Sequence, residues 1–190
     1  MSPETAIALA LGLPLGGAVL TGLLAHRPNV RETFTLLVGV GLFCSVVSLV
    51  PDVAGGQRPS LSLFEILPGL ALAFEVEPLG LLFALVASGL WVVTSGYSIG
   101  YLRGLGEEHQ TRYYACFAVA ILGAIGAAMA QNLLTLFLFY EVLTLSTYPL
   151  VTHHGTEKAM RGGRTYLGLL LFTSVGLLLL AILWTWQAAG

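Results

Sequence analysis

Charged side chains are scarce in this sequence. Asp, Glu, Lys and Arg make up 9% of the 190 residues, whereas a soluble domain carries roughly 25%. Hydrophobic residues make up 56%, and the mean hydropathy is +0.86. This composition excludes an ordinary soluble domain and indicates a membrane protein. The formal net charge of -2 leaves no overall positive field, so nucleic acid is not an expected partner.

Residues that carry metal or cofactor chemistry are equally scarce. The two cysteines, Cys44 and Cys116, lie singly in apolar stretches without a CxxC spacing, and we interpret both as small apolar residues. The sequence contains no P-loop, dinucleotide fingerprint or nucleophile elbow. We therefore expect no cofactor and no metal.

The sequence is dominated by six long apolar runs. Each is long enough to cross a bilayer as a helix, which takes about 20 residues. The runs lie at Ala6–Ala25, Thr33–Val50, Leu79–Tyr101, Tyr113–Ala130, Leu133–Thr152 and Thr165–Gln187. They predict an all-α polytopic membrane protein with about six transmembrane helices, in a single membrane domain over residues 1–190.

Basic residues are unequally distributed between the two sides of these spans. If successive links alternate sides, seven Lys and Arg residues fall on one side and only Arg58 on the other. The seven are Arg27, Arg31, Arg103, Arg112, Lys158, Arg161 and Arg164. Basic links concentrate on the cytoplasmic side and suit contact with anionic lipid. We predict a multi-pass protein of the cell (inner) membrane with both termini outside the cytoplasm.

The external segment at about 52–77 has a different pattern. Residues 60–63 alternate Ser and Leu, a Pro68-Gly69 turn signal follows, and apolar residues then recur at every second position over 70–76. This period of two predicts a short β-hairpin between the second and third spans. Its role is either a loop lying against the membrane or a strap that docks onto a neighbouring subunit.

Small residues recur at helical spacing in two spans. Ala120, Ala124 and Ala128 are four residues apart in the fourth span, as are Gly12 and Gly16 in the first. This spacing lets helices approach closely. We expect packing within the chain or against partner subunits.

One acidic residue, Glu141, is predicted to lie inside the membrane, whereas the other nine fall in links or at span ends. It follows the start of the fifth span by about 12 Å of helix, near the middle of a core about 30 Å thick. A carboxyl at this depth costs on the order of 2.5–3.5 kcal/mol, so it should face a partner or a hydrated cavity. Desolvation favours its neutral form and an approaching cation its charged form, so the group can load and release a proton.

Polar groups follow Glu141 toward the predicted cytoplasmic end. The candidates for a supporting proton path are Thr144, Tyr148, Thr152, His153, His154 and Lys158. The alternative is structural: the hydroxyls bond to backbone carbonyls, a protonated Glu141 holds helices together, and the histidines anchor a helix end. Adjacent histidines on a helix point in different directions, so joint metal binding is not expected. Every Lys and Arg lies outside the six spans, so a cation for Glu141 must come from elsewhere.

Three stretches carry a family resemblance: YSIGYLRG at 97–104, QTRYYACFA at 110–118 and NLLTLFLFYEVLTLSTYPLV at 132–151. They resemble the antiporter-like membrane subunits shared by respiratory complex I, membrane-bound hydrogenases and Mrp-type cation/proton antiporters. Among these the greatest likeness is to the D-type member of the Mrp antiporters. The resemblance covers most of the chain. Its most specific position is the acidic residue of NLLTLFxFYE, which is Glu141.

The resemblance implies a proton channel in which Glu141 pairs with a lysine on a broken seventh helix. Such subunits run to about fourteen helices in inverted repeats. The lysine-bearing helices are therefore expected from other membrane subunits or from the remainder of a longer subunit. The chain is then a fragment, a truncated subunit or half of a split one.

The leading hypothesis is a component of a multisubunit proton-translocating complex, namely a sodium/proton antiporter in which Glu141 moves protons. Its expected partners are other membrane subunits, protons, sodium and lipid. One alternative is the equivalent subunit of complex I or a membrane-bound hydrogenase. Another is a transport-inactive scaffold or assembly subunit. Enzyme chemistry is not favoured, because one buried carboxyl has no nucleophile, second carboxyl or metal set beside it.

Overall fold

The computed structural model describes residues 1–189, and six helices in this range are long and apolar enough to cross a membrane. In chain order the elements are α1 (Pro3–Leu23), α2 (Pro28–Val47), α3 (Val50–Ala54), β1 (Ser60–Leu67), β2 (Leu70–Glu75), α4 (Pro78–Gly104), α5 (Gln110–Ala128), α6 (Leu133–Val151), α7 (Glu157–Thr173), a π-helical segment (Ser174–Leu179) and α8 (Leu180–Ala189). The sixth candidate span is continuous from α7 through α8. The predicted helical membrane protein with one hairpin is confirmed.

Proline and short polar side chains start the helices. Proline stands in the first turn of α1, α2 and α4, where its missing N–H costs no helical hydrogen bond. The Asn132 Oδ1 atom accepts a hydrogen bond from the Thr135 N–H at 2.8 Å and caps α6. The Thr156 Oγ1 atom accepts from the Ala159 N–H at 3.2 Å and caps α7.

Two predicted boundaries were wrong. The sixth span begins as a helix at Glu157 rather than Thr165, because the Thr156 cap starts it earlier. Three basic residues assigned to the preceding link therefore lie in the first turns of α7: Lys158, Arg161 and Arg164. The predicted external segment also begins in helix, since α3 extends to Ala54.

The hairpin is antiparallel, and its turn contains Gly69. Gly69 has φ 77°, a left-handed conformation that glycine adopts without steric cost. This confirms the hairpin that the alternating pattern predicts. Its docking role stays a prediction.

The free edge of β2 pairs with the link between α5 and α6. The Glu75 N–H donates to the Met129 carbonyl at 2.8 Å, and the Gln131 N–H donates to the Ala73 carbonyl at 3.0 Å. The Ala73 N–H donates to the Oγ1 atom of Thr135, which is fully buried in the first turn of α6. The hairpin is thus bonded to the start of the helix that carries Glu141.

Helix α5 packs against α1, α4 and α6, while α2 packs against α1 and α4. The core contains the fully buried side chains of Leu42, Trp91 and Ile125. The Phe74 ring of β2 meets the Phe139 ring of α6 edge to face, with centroids 5.3 Å apart. The hairpin therefore contributes to the same core as the helices.

Close approach of α5 and α6 depends on glycine. A Cβ atom on Gly123 would lie 2.7 Å from the Leu143 backbone nitrogen, and one on Gly126 would overlap the Phe139 ring. Gly123 and Gly126 of α5 therefore pack directly against α6, and the packing role of Ala120, Ala124 and Ala128 stays a prediction.

The first span packs at a different glycine from those predicted. A Cβ atom at Gly12 or Gly16 would meet nothing within 4 Å in the described chain, whereas one at Gly17 would lie 2.9 Å from Val38 Cγ1. The expectation of packing within the chain at Gly12 and Gly16 was wrong, and packing against a partner subunit stays a prediction.

We expect Gly123→Ala to destabilise the protein by about 1–3 kcal/mol, because the added methyl group forces the α6 backbone to move. The measurement is the thermal unfolding midpoint in detergent. Gly12→Ala is the matched control and should leave the midpoint unchanged or slightly raised, since alanine favours helix over glycine. Equal midpoints for the two variants would contradict the close packing of α5 and α6.

Candidate functional site

Glu141 lies about halfway along α6 and is partly buried rather than fully buried. One of its carboxyl oxygens, Oε1, is buried and has no hydrogen-bond partner among residues 1–189. An unpartnered buried oxygen is costly for an ionised carboxylate and less so for a neutral acid. Glu141 therefore has the unsatisfied buried oxygen that the sequence led us to look for, and its proton-binding role stays a prediction.

The hydroxyl residues that follow Glu141 are enclosed by the bundle. Thr144 and Thr152 are buried, and Tyr148 is partly buried. The Thr152 hydroxyl donates to the Tyr148 carbonyl at 2.9 Å. Thr152 therefore makes the bond to a backbone carbonyl that a purely structural role predicts. The hydroxyl oxygen of Thr152 can still accept a hydrogen bond from another group.

A cavity of about 610 Å³ lies where the α4–α5 link meets the α6–α7 link. Four of the predicted path residues line it: Tyr148, Thr152, His153 and His154. Glu141 and Thr144 are not part of its wall, and Lys158 borders a separate groove on α7. The structure thus gathers the outer half of the predicted path and leaves Glu141 deeper in the bundle.

His153 and His154 lie beyond the end of α6, which stops at Val151. Their ring centroids are 5.9 Å apart. The two histidines therefore follow the helix rather than lying on it, as the prediction assumed; the His153 side chain is 11% exposed and that of His154 is 69% exposed. In the part of the chain that the structure describes, no group of three or more His, Cys, Asp or Glu residues is arranged to hold a metal ion.

Glu107, which the sequence analysis placed only in a link, approaches both histidines. Its Oε2 atom lies 3.9 Å from His153 Nε2 and 3.7 Å from His154 Nδ1. The Arg112 Nη2 atom donates to the His153 carbonyl at 3.0 Å. The His153 Nδ1 atom is buried and has no hydrogen-bond partner within residues 1–189. No sequence signal pointed to Glu107, because 46 residues separate it from His153.

Burial lowers the pKa of His153 below its usual 6.5, and the neighbouring Arg112 guanidinium lowers it further. The Glu107 carboxylate acts in the opposite direction with a smaller effect. The imidazole of His153 is therefore held neutral at pH 7.

A second group of charges, also missed by the sequence analysis, is buried at the same end of the bundle. Arg31 and Glu32 are each 3% exposed. Arg31 Nη2 lies 3.2 Å from Glu32 Oε1. Arg103 reaches the same carboxylate from α4, with Nη2 2.6 Å from Oε2 and Nε 3.1 Å from Oε1. Glu32 is thus held by two guanidinium groups.

Arg31 extends this cluster to α5. Its Nη1 atom donates to Thr111 Oγ1 at 2.8 Å and its Nη2 atom to Gln110 Oε1 at 3.1 Å. Its guanidinium also lies over the Tyr114 ring, 5.1 Å from the centroid. The cluster therefore joins α2, α4 and α5. The helices extend past the predicted spans and include Arg31 in α2 and Arg103 in α4, and the prediction that every Lys and Arg lies outside the membrane spans stays a prediction.

These contacts place the α1–α2, α4–α5 and α6–α7 links at one end of the bundle, away from the hairpin. Arg58 lies by the hairpin, where its Nη1 atom is 2.7 Å from Glu77 Oε1. Arg58 is thus separated from the basic residues at the opposite end of the bundle, as the alternation of links predicts. Which of them faces the cytoplasm stays a prediction.

We expect acidification to destabilise the α6–α7 link through His153. Its pKa is lower in the folded chain than in the unfolded one, so its contribution to stability is complete above pH 6.5 and is lost as pH falls below that value. The measurement is the unfolding midpoint between pH 8 and pH 5. His153→Gln should flatten this dependence, and the exposed His154→Gln is the control. If the unfolding midpoint of His153→Gln depended on pH as steeply as that of the unmodified protein, His153 would not be the cause of the pH dependence.

We expect Glu32→Gln to destabilise the protein by about 3 kcal/mol, because it leaves the buried Arg31 without its counter-charge. Denaturant unfolding in detergent measures the effect. Glu4→Gln, at an exposed position in the first turn of α1, is the control and should change stability by less than about 0.5 kcal/mol. A similar value for both variants would show that the buried cluster is dispensable.

Comparison with known proteins supports the predicted resemblance. The family described as "NADH:quinone oxidoreductase/Mrp antiporter, TM" matches residues 130–190, which include Glu141. The Na(+)/H(+) antiporter subunit A1 of Staphylococcus aureus strain bovine RF122 / ET3-1 is 28% identical over 164 residues, and so is that of strain Newman. Each alignment covers 78% of this chain and 19% of the relative, so the chain spans about a fifth of the length of these curated relatives.

Two solved structures share the fold. An archaeal respiratory membrane complex, the membrane-bound sulfane sulfur reductase, matches with a TM-score of 0.78 at 20% identity, covering 89% of this chain and 34% of that one. The Mrp complex from Dietzia sp. DQ12-45-1b matches with a TM-score of 0.78 at 23% identity, covering 92% and 33%. The curated relatives are A-type subunits, so the finer likeness to the D type stays a prediction. The resemblance itself is confirmed: residues 130–190 match the antiporter family model, and most of the chain is similar to an A-type subunit of Na(+)/H(+) antiporters.

Proposed function

We propose that this chain works within a multisubunit complex that exchanges sodium for protons, and that Glu141 binds and releases the transported proton. The observation that carries the proposal is the buried, unpartnered Oε1 atom of Glu141 midway along α6. The curated relatives are named as subunits of Na(+)/H(+) antiporters, which supports sodium as the exchanged ion.

The proposed chemistry is proton transfer controlled by charge. In a low-dielectric site the neutral form of a carboxyl is favoured, and a cation that moves closer favours the ionised form. A conformational change that alters this distance therefore loads or releases the proton. Within residues 1–189 no Lys or Arg is bonded to Glu141. The cation is proposed to come from other membrane subunits or from further helices of the same subunit.

The supporting path runs from Glu141 toward the cavity at the basic end of the bundle. Tyr148 follows Glu141 by seven residues, which is roughly 10 Å of helix. Thr144 lies between them, and beyond Tyr148 come Thr152, His153 and His154, with Lys158 outside the cavity wall. The proposed orientation places this end in the cytoplasm and both termini outside it, with lipid and partner subunits around a single membrane domain.

A second candidate is the corresponding subunit of a redox-driven complex. It is favoured by the family description, which names NADH:quinone oxidoreductase beside the Mrp antiporter. The two candidates differ in their partners. Co-purification with iron–sulfur or flavin subunits would support the redox-driven complex, and small hydrophobic subunits would support the antiporter.

We expect Glu141→Gln to abolish ion-coupled proton flux in the complex reconstituted into proteoliposomes, because an amide cannot ionise. Glu141→Asp should retain part of the flux, since it keeps an ionisable carboxyl. Glu4→Gln is the matched control and should transport normally. The measurements are proton flux by a pH-sensitive dye and subunit composition by gel filtration. Full flux in an assembled Glu141→Gln complex would overturn the proposal and favour a scaffold role.

A further inference from the structure

The cavity between the α4–α5 and α6–α7 links is rich in ionisable groups. The acidic, basic and imidazole side chains on its wall are Glu107, Glu108, His109, Arg112, His153 and His154. It opens at the basic end of the bundle and reaches inward to Tyr148, Pro149 and Thr152 of α6. The cavity thus links the aqueous end of the bundle to the helix that carries Glu141.

Glu107 is held in place within this cavity. Its N–H donates to the Leu102 carbonyl at 3.0 Å, and its own carbonyl accepts from Gln110 Nε2 at 3.1 Å. Gln110 in turn accepts from the buried Arg31. The buried charge cluster therefore fixes the backbone from which the Glu107 side chain reaches the two histidines.

The Glu107 side chain is 21% exposed, so it contacts both water and the cavity. Its distances of 3.9 Å and 3.7 Å to the histidine nitrogens are too long for direct hydrogen bonds, but they are short enough for the carboxylate to attract a protonated imidazole. Glu108 borders the same cavity, is exposed, and makes no ion pair among residues 1–189. Glu107 is thus distinguished from its neighbour by its contacts.

We propose that Glu107 collects protons from the aqueous side and passes them, through His153 and His154, to the inner wall of the cavity on the path to Glu141. A buffer acid or hydronium gives its proton to a Glu107 carboxylate oxygen, and that proton then moves to a neutral imidazole nitrogen. Only O–H and N–H bonds form and break. The inference rests on the proposed function of Glu141.

The carboxylate and the imidazoles suit this role. A carboxylate at a cavity mouth attracts protons, and an imidazole exchanges them near neutral pH. Burial and then the Arg112 guanidinium lower the pKa of His153, so its ring releases an accepted proton readily. The Arg112 guanidinium donates a hydrogen bond to the backbone carbonyl of His153 and so fixes that residue. This keeps His153 Nε2, the proposed proton acceptor, near Glu107.

The test is the buffer dependence of proton flux in the reconstituted complex, with buffer varied on the side where these links are exposed. Glu107→Gln should lower flux severalfold at low buffer concentration, and high concentrations of imidazole should restore it by replacing the lost proton carrier. Glu107→Asp should retain most of the flux. Glu108→Gln, the neighbouring exposed acid, is the matched control and should behave as the unmodified complex.

A merely structural role of Glu107 predicts a different result. Flux would then fall equally at all buffer concentrations, without rescue by imidazole, and this would overturn the inference. If the Glu107→Gln complex does not assemble, the exposed variant His154→Gln is measured instead. It should lose flux at low buffer concentration in the same way, and normal flux in weak buffer would overturn the inference.

The two proposals fail separately. If Glu141→Gln is inactive and Glu107→Gln is fully active in weak buffer, only the inference about Glu107 fails. If Glu141→Gln is active, the proposed function of Glu141 fails as well.

Discussion

An ionisable group inside a bilayer must be paired, solvated or neutral, and this constraint explains how the chain distributes its few charges. Glu32 is almost fully buried, and two guanidinium groups neutralise it. Glu141 is less deeply buried, and one of its oxygens has no partner among residues 1–189. The first arrangement stabilises a fixed junction of three helices. The second leaves a carboxyl oxygen that no described residue satisfies, which is the basis of the role proposed for Glu141.

The sequence predicts the features that depend on local pattern. Hydropathy gives six spans, because each apolar run must satisfy its backbone hydrogen bonds as a helix in lipid. Alternation over residues 70–76, with Gly69 at the turn, gives the hairpin. Glu141 is singled out because a lone acid in an apolar run has no structural reason to be there unless a partner or water compensates it.

The features that the sequence does not reveal depend on contacts between distant residues. Glu32 and Arg103 are 71 residues apart, and neither is unusual in its own segment. Charged residues at span ends are ordinarily read as topology determinants, and the burial of Arg31 becomes apparent only once α5 packs over it. Helix ends were also misjudged, since the Thr156 cap starts α7 earlier than predicted and α6 ends at Val151, before the two histidines.

The bonds between β2 and the start of α6 bear on how the helix can move. Ala73 is bonded to Gln131 and to the buried Thr135, so the hairpin end of α6 is tethered to a two-stranded sheet. The other end is followed by Gly155 at φ 64° and borders the cavity. That end is secured by α5, through the bond from Arg112 to the His153 carbonyl, and by α7, whose Gly163 lies against Thr152. The helix that carries Glu141 is therefore held at its two ends by different elements, so that a rearrangement of the helices at one end need not disturb the sheet at the other.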